Sequence, residues 1–250
     1  MSRLKLISAS QLKVLAFLTM IIDHFAYFFY FLLNDKVYYS LRCIGRISMP
    51  IFAFLIYQGI KHTSNLSKYR KRILALAMIT QILCVIMGVL AKNVVPKYKV
   101  NFFYELNILF SFYLSIHFIS IMNYLLDEKN KKDGLTIFMG FTTLLAVLVV
   151  FMIIPIDHGI IPLLIISLLF ILDSKRKNIV LLCVAFAALI TVFALNVINR
   201  IIPIVMLVSI PILLMYNGQK GKNYSKVWYY FYPTHIILLY AIGIITYLYR

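Results

Sequence analysis

Apolar stretches of about 20 residues, separated by short basic loops, run through the whole chain. Each is about as long as a helix needs to be to cross a hydrocarbon layer roughly 30 Å thick. Because 63% of the 250 residues are hydrophobic, a soluble core could not bury them all. The sequence therefore predicts an all-α, polytopic bundle of transmembrane helices that forms one domain over residues 1–250.

About nine spans are predicted, within a range of eight to ten. They are 12–33, 46–60, 73–91, 106–126, 135–156, 159–172, 178–198, 201–216 and 227–249. The first contains charges and no small-residue cleavage site follows it, so we expect it to be retained rather than removed as a signal peptide. The spans 46–60 and 159–172 are short and contain proline, which is typical of segments that line a cavity.

The charge distribution predicts orientation and partners. A cytoplasmic N-terminus places most of the 25 Lys and Arg residues in cytoplasmic loops, as the positive-inside rule requires of a bacterial plasma membrane protein. The net charge of +17 is spread over these loops, which favours contact with anionic lipid headgroups and argues against nucleic acid as a partner. Cys43, Cys84 and Cys183 are too far apart for a CxxC pair, so no metal site is predicted.

An acidic residue and a histidine lie together inside the first span. A charge such as that of Asp23 costs at least about 2.5 kcal/mol at mid-membrane, so it needs a partner or a water-filled cavity. His24 can accept or pass a proton near neutral pH. Neighbours on a helix point about 100° apart, so we expect one of them to face a reaction cavity and the other to hold a neighbouring helix. Helix packing by both side chains is the structural alternative.

Two arginines at the start of the second span are candidate partners for this acid. Arg42 and Arg46 would share one helix face, and either could pair with Asp23 or bind an anionic group. Snorkelling to the membrane interface is the alternative for both.

A basic, aromatic-containing segment follows the second span. It is a candidate entrance for a phosphorylated ligand such as coenzyme A, although an ordinary positive-inside loop would carry similar charges. Its candidate ligand-binding residues are Lys61, His62, Tyr69, Arg70 and Arg72.

Polar side chains in later spans are candidates for binding substrate. Asn107 could donate a hydrogen bond inside a cavity. Tyr232 and His235 interrupt the last apolar run, and an aromatic belt at the interface does not account for the histidine.

In these residues the chain resembles the TraX family, whose named member acetylates the N-terminus of conjugative pilin. Order and spacing agree along nearly the whole sequence. The matching blocks are Leu12-Lys13, Met20-Ile-Ile-Asp23-His24, Ile44-Gly45-Arg46-Ile-Ser-Met-Pro50 continuing to Gly59, Thr63, Tyr69-Arg-Lys-Arg72, Asn107-Ile-Leu-Phe, Asp157-His-Gly159 and Phe231-Tyr-Pro233-Thr-His235. His158 departs from the pattern, where an aromatic residue is expected, and receives no catalytic role.

The TraX family is similar to a broader group of transmembrane acyltransferases. That resemblance implies transfer of an acyl group, expected to be acetyl, from cytoplasmic acyl-CoA to an extracytoplasmic peptide amine or glycan hydroxyl. It makes His24 the general base or acyl carrier, with Asp23 and Arg46 beside it, and an imidazole suits this chemistry. Two other classes stay open: a proton-coupled transporter or flippase that uses Asp23 and His24 as a relay, and a non-catalytic assembly factor.

Overall fold

A computed structural model describes residues 6–95, 105–127, 133–171, 204–222 and 225–250, with positions 185 and 188. Across these residues the regular elements are all helical. They are α1 Ala9–Phe28, α2 Asp35–Gly45, α3 Ser48–His62, α4 Leu66–Val94, α5 Ile108–Leu126, α6 Gly134–Ile153, α7 Ile161–Ile171, α8 Ser209–Leu214 and α9 Ser225–Leu248, with 3-10 turns at Tyr30–Leu32 and Val205–Val208.

Six helical segments in the described part of the chain are long and apolar enough to cross a membrane. They are α1, the α2–α3 pair as one unit (Asp35–His62), α4, α5, α6 and most of α9. α7 and the segment Val205–Leu214 are shorter apolar helices, and the predicted span 178–198 lies outside the described residues apart from positions 185 and 188. The membrane-protein class is thus confirmed, whereas nine spans and a cytoplasmic N-terminus remain predictions.

The second span is longer than the sequence indicates. The apolar run 46–60 is preceded by the more polar helix α2, and together Asp35–His62 provide 28 residues. A break separates the two helices at Arg46 and Ile47. Pro50 has no N–H to donate to the carbonyl four residues earlier, which is that of Arg46, so it favours a break at this point.

Short polar side chains begin four of the helices. The side-chain oxygens of Asn34, Asn65, Asn107 and Asp133 accept hydrogen bonds from backbone N–H groups in the first turns of α2, α4, α5 and α6, at 2.8–3.1 Å. These caps satisfy donors that a helix end would otherwise leave unpaired.

Backbone contacts join the segment before α9 to the start of α1. The N–H groups of Ala9 and Ser10 donate to the carbonyls of Gln219 and Lys220, at 2.9 and 3.1 Å. Lys220 therefore lies at the N-terminal end of α1. This end also carries the α3–α4 loop, and we call it the basic end of the bundle.

A second set of contacts joins the α4–α5 and α6–α7 connections at the opposite end. Leu106 exchanges backbone hydrogen bonds with Pro155 and Asp157, at 2.9 and 2.8 Å. Ser111 Oγ donates to the carbonyl of Gly159 at 3.0 Å. The turn at residues 157–160 is thereby held against α5.

Gly45 permits the close packing of α2 on α1. A Cβ atom at this position would overlap the side chain of Asp23. We expect Gly45→Ala to separate the two helices and lower the melting temperature in detergent, because the clash is with the rigid β-carbon and carboxylate of a buried residue. Gly134→Ala is the matched control, since a Cβ there meets nothing within 4 Å. Equal melting temperatures for both variants would contradict this packing.

Candidate active site

A cavity of about 680 Å³ extends along α1. Its lining residues on α1 are Ala9, Lys13, Phe17, Met20, Asp23 and His24. All of them except Asp23 recur every three or four residues, which is the spacing of one helix face. The helix rises about 16 Å between Lys13 and His24. The middle of the cavity is mainly apolar, and its walls include Phe52, Leu55, Ile56, Ile73, Leu76, Leu109 and Phe112. The cavity therefore runs from the basic end to the vicinity of His24.

Asp23 is held by two arginines. Its Oδ2 accepts from Arg42 Nη1 at 2.7 Å and from Arg46 Nη2 at 2.9 Å, and its Oδ1 accepts from Arg46 Nη2 at 3.1 Å. All three side chains are at most one-fifth exposed. The arginines therefore balance the charge of Asp23 where α1 packs on α2. Neither of them is among the described residues that line the cavity.

His24 contacts His235 of the last helix, α9. It does not share the arginine partners of the preceding residue, Asp23. His24 Nδ1 lies 2.9 Å from His235 Nε2, and both residues are less than one-tenth exposed. His235 Nδ1 lies 2.9 Å from the carbonyl oxygen of Phe231. The structure thus joins two predicted site residues that are 211 positions apart.

These two contacts assign the histidine tautomers. A carbonyl oxygen can only accept, so His235 donates through Nδ1 and its Nε2 carries a lone pair. His24 then donates through Nδ1, and its neutral ring keeps its own lone pair on Nε2. His24 is consequently in the form in which Nε2 can act as a base.

The turn between α6 and α7 adds a third histidine to this region. His158 and Asp157 line the cavity, and His158 Nε2 lies 3.5 Å from Arg46 Nη1. Burial lowers the pKa of His158 although Asp157 opposes the shift, so a neutral ring is favoured and Nε2 can accept from the arginine. His158 has φ of 60°, in the left-handed region, and is followed by Gly159 with φ of 53°.

The basic entrance consists only partly of the predicted residues. His62, Tyr69 and Arg72 line the cavity. Lys61 is exposed and is not among the lining residues, and Arg70 points to α5, where its Nη1 lies 2.6 Å from His117 Nδ1. Lys61 and Arg70 are therefore not placed to bind a ligand in the cavity.

Two lysines that were not predicted to be site residues also lie at the basic end of the cavity. Lys13 and Lys220 both line the cavity at the basic end. Lys13 could have been found, because it precedes His24 by three helical turns and must share its face. No sequence pattern indicates that Lys220 lies beside the cavity. Its position follows from the pairing of residues 219–220 with the start of α1.

Of the predicted substrate-binding residues, Tyr232 lines the cavity, whereas Asn107 and His235 are not among its lining residues. Tyr232 is 6% exposed, and its ring lies edge-on to His235 with centroids 5.7 Å apart. Asn107 donates through Nδ2 to the carbonyl of Ala77 and to Gln81 Oε1, both at 3.0 Å. Since both amide hydrogens are used, the geometry gives Asn107 a role in capping α5 and joining it to α4, rather than the predicted hydrogen bond to a substrate in the cavity.

Fold and site together define a polytopic α-helical membrane protein with an internal cavity that is lined by His24, whose ring contacts His235. The chain belongs to the TraX family: residues 8–243 match the family described as "TraX protein". The resemblance seen in the sequence is thus confirmed over nearly the whole chain.

The chain is also similar to a curated bacterial protein. "Probable fimbrial assembly protein FimC, serogroup H1" of Dichelobacter nodosus is 29% identical over 245 residues, which cover 93% of this chain and 94% of that protein. No solved structure matches the chain.

Proposed function

We propose that the protein is a plasma membrane acyltransferase that moves an acyl group, expected to be acetyl, from cytoplasmic acyl-CoA to an extracytoplasmic peptide amine or glycan hydroxyl. The observation that carries this proposal is the cavity that joins the basic end to His24, whose Nδ1 contacts His235. Membership of the TraX family and similarity to a fimbrial assembly protein support a role in modifying surface proteins.

The entrance supplies charges that suit the donor. Lys13, Arg72 and Lys220 line one end of the cavity, where they can pair with the phosphates of acyl-CoA. His62 and Tyr69 add hydrogen-bonding groups at the same end. The pantetheine arm would then follow the apolar wall of α1 toward His24.

His24 supplies the base that the transfer needs. As the acceptor amine or hydroxyl attacks the thioester carbonyl, Nε2 of His24 takes its proton. The carbon–sulfur bond then breaks, and the thiolate of coenzyme A leaves and receives that proton from the imidazolium. His235 keeps the lone pair of His24 on Nε2, so it acts as a positioning residue.

Asp23 and Arg46 act on the site indirectly in this mechanism. Asp23 pairs with Arg42 and Arg46, which fixes α2 against the part of α1 that carries His24. Arg46 is therefore proposed to position the site, rather than to touch the reacting atoms.

Binding of acyl-CoA at the basic end can be tested separately from the transfer of the acyl group. We expect Arg72→Ala and Lys220→Ala each to raise the KM for acetyl-CoA about threefold to fivefold with little change in kcat, because each removes one exposed charge. Arg70→Ala and Lys61→Ala are matched controls, since neither residue lines the cavity. A larger increase in KM for the control variants than for the cavity variants would show that acyl-CoA binds outside the basic end of the cavity.

The proposed function is tested with purified protein in lipid nanodiscs. Labelled acetyl-CoA is added with an extract of cell-surface peptides and glycans, and protein-dependent incorporation of label is measured. We expect label in the peptide or glycan fraction and release of free coenzyme A in equal amount. No incorporation, together with proton-driven flux in liposomes that lack acyl-CoA, would favour a transporter instead.

A further inference from the structure

The turn between α6 and α7 brings a histidine into the cavity that the proposed mechanism does not use. His158 lines the cavity, and its side chain is 12% exposed. In the proposed transfer, the thioester oxygen gains negative charge as the acceptor attacks the carbonyl carbon, so it needs a hydrogen-bond donor. His24 supplies the base, whereas this oxygen has as yet no donor. His158 is a candidate for that role.

The backbone holds His158 in a conformation that residues with a Cβ atom seldom adopt. Its φ is 60°, in the left-handed region. The turn is fixed on one side by the N–H of Asp157, which donates to the carbonyl of Leu106 at 2.8 Å. It is fixed on the other side by Ser111 Oγ, which donates to the carbonyl of Gly159 at 3.0 Å. Strained residues that are held in this way cluster at functional sites.

Arg46 assigns the hydrogen of the His158 ring. A guanidinium can only donate, and Arg46 Nη1 lies 3.5 Å from His158 Nε2, so this nitrogen carries the lone pair. Asp157 Oδ1 is 3.7 Å from the same nitrogen, which is beyond hydrogen-bond distance. Burial lowers the pKa of His158 and favours the neutral ring. The ring hydrogen is then on Nδ1, which makes that nitrogen a donor.

Two other polar side chains near the site have committed their hydrogens. Ser48 lines the cavity, but its hydroxyl donates to the carbonyl of Gly45 at 2.8 Å. Asn107 gives both amide hydrogens to acceptors on α4. Tyr232 also lines the cavity, and its hydroxyl is the alternative donor.

We propose that Nδ1 of His158 donates a hydrogen bond to the thioester oxygen, which makes His158 a second catalytic residue. The inference rests on the proposed function, because it needs an acyl-CoA thioester in the cavity. As the acceptor nitrogen or oxygen bonds to the carbonyl carbon, the π electrons move onto the thioester oxygen, and Nδ1–H stabilises this charge without giving up its proton. When the carbonyl re-forms, the carbon–sulfur bond breaks, and the thiolate takes the proton that His24 holds.

Arg46 links His158 to the residues of α1. Its Nη2 donates to Asp23 at 2.9 Å, while its Nη1 faces the His158 ring, and the residue after Asp23 is the proposed base His24. A positive charge beside Nε2 polarises the ring and makes Nδ1–H a stronger donor. Arg46 would thus act on the reaction through His158, without touching the substrate.

Variants at position 158 separate the donor from the shape of the ring. His158→Phe keeps a ring and removes the donor, so kcat should fall about 10²–10³-fold with little change in KM for acetyl-CoA. His158→Asn keeps an N–H near the position of Nδ1 and tolerates the left-handed backbone, so it should be more active than His158→Phe. His158→Leu replaces His158→Phe if the latter does not insert. His117→Phe is the matched control, since His117 does not line the cavity.

Infrared difference spectroscopy detects the donor directly. The probe is acetyl-CoA with an isotope-labelled thioester carbonyl, bound to the whole protein in nanodiscs without an acceptor. A hydrogen bond to the oxygen weakens the carbonyl bond and lowers its stretching frequency. We expect the lowered frequency in the unaltered protein, in His24→Ala and in His158→Asn, and its loss in His158→Phe.

The outcomes separate this inference from the proposed function. Equal carbonyl frequencies in the unaltered protein and in His158→Phe, with acetyl-CoA bound to both, would overturn the inference and leave acyl transfer intact. Loss of the lowered frequency in Tyr232→Phe, but not in His158→Phe, would assign the donor to Tyr232 and overturn it as well. Failure of the unaltered protein to bind acetyl-CoA would contradict the proposed function, and this inference with it.

Discussion

Replacing His24 with alanine should lower the rate of acyl transfer by about 10²–10⁴-fold while the protein still folds and inserts. The loss follows from the tautomer, because the lone pair on Nε2 of His24 is the proposed base and His24 lines the cavity. KM for acetyl-CoA should change little, since Lys13, Arg72 and Lys220 remain in place at the other end. The measurement is incorporation of labelled acetyl in nanodiscs.

His117→Ala is the matched control for this variant. His117 is also an intramembrane histidine, but it pairs with Arg70 and does not line the cavity. It should transfer label at nearly the rate of the unaltered protein. Within the site, His235→Gln should be more active than His235→Ala, because a glutamine oxygen can still accept from Nδ1 of His24. Full activity in His24→Ala would remove the imidazole from the mechanism.

Replacing Asp23 with asparagine should lower the free energy of unfolding by about 3–5 kcal/mol, since it leaves two largely buried guanidinium groups without a carboxylate. Arg42 and Arg46 would face each other across a neutral amide, and their repulsion would act where α1 packs on α2. The effect is measured as a lower midpoint of thermal or denaturant-induced unfolding in detergent.

Asp133→Asn is the matched control for charge removal. Asp133 is exposed and caps α6, and asparagine caps a helix about as well, so the midpoint should hardly change. If Asp23→Asn unfolds at the same midpoint as Asp133→Asn, the ion pairs of Asp23 with the two arginines do not stabilise the fold.

Local patterns predicted much of this architecture. Apolar runs located most of the membrane helices in the described residues, and the cost of a charge in lipid indicated that Asp23 needed a partner such as Arg46. Helix geometry predicted that Asp23 and His24 would have different partners, and they do, but both residues line the cavity. These features depend on residues that are close in sequence or on the lipid environment alone.

Features that depend on helix rotation or on distant contacts were not predicted. The contact between His24 and His235 joins helices at the two ends of the chain. Arg70 and Arg72 are separated by about 200° around α4, so only one of them can face the cavity, and its identity depends on how α4 packs. The predicted second span likewise began at residue 46 and left out α2, although α2 and α3 together form a unit long and apolar enough to cross a membrane.

The most direct test of the proposed transfer across the bundle compares two sets of sealed vesicles, in which the protein is inserted in opposite orientations. Labelled acetyl-CoA is placed only inside, the peptide with a free N-terminus only outside, and label on the external peptide is counted over time. We expect transfer when the basic end with Lys13 and Lys220 faces the lumen, and loss of that transfer in His24→Ala vesicles. Transfer at the same rate in the opposite orientation, or transfer that is independent of His24, would contradict it.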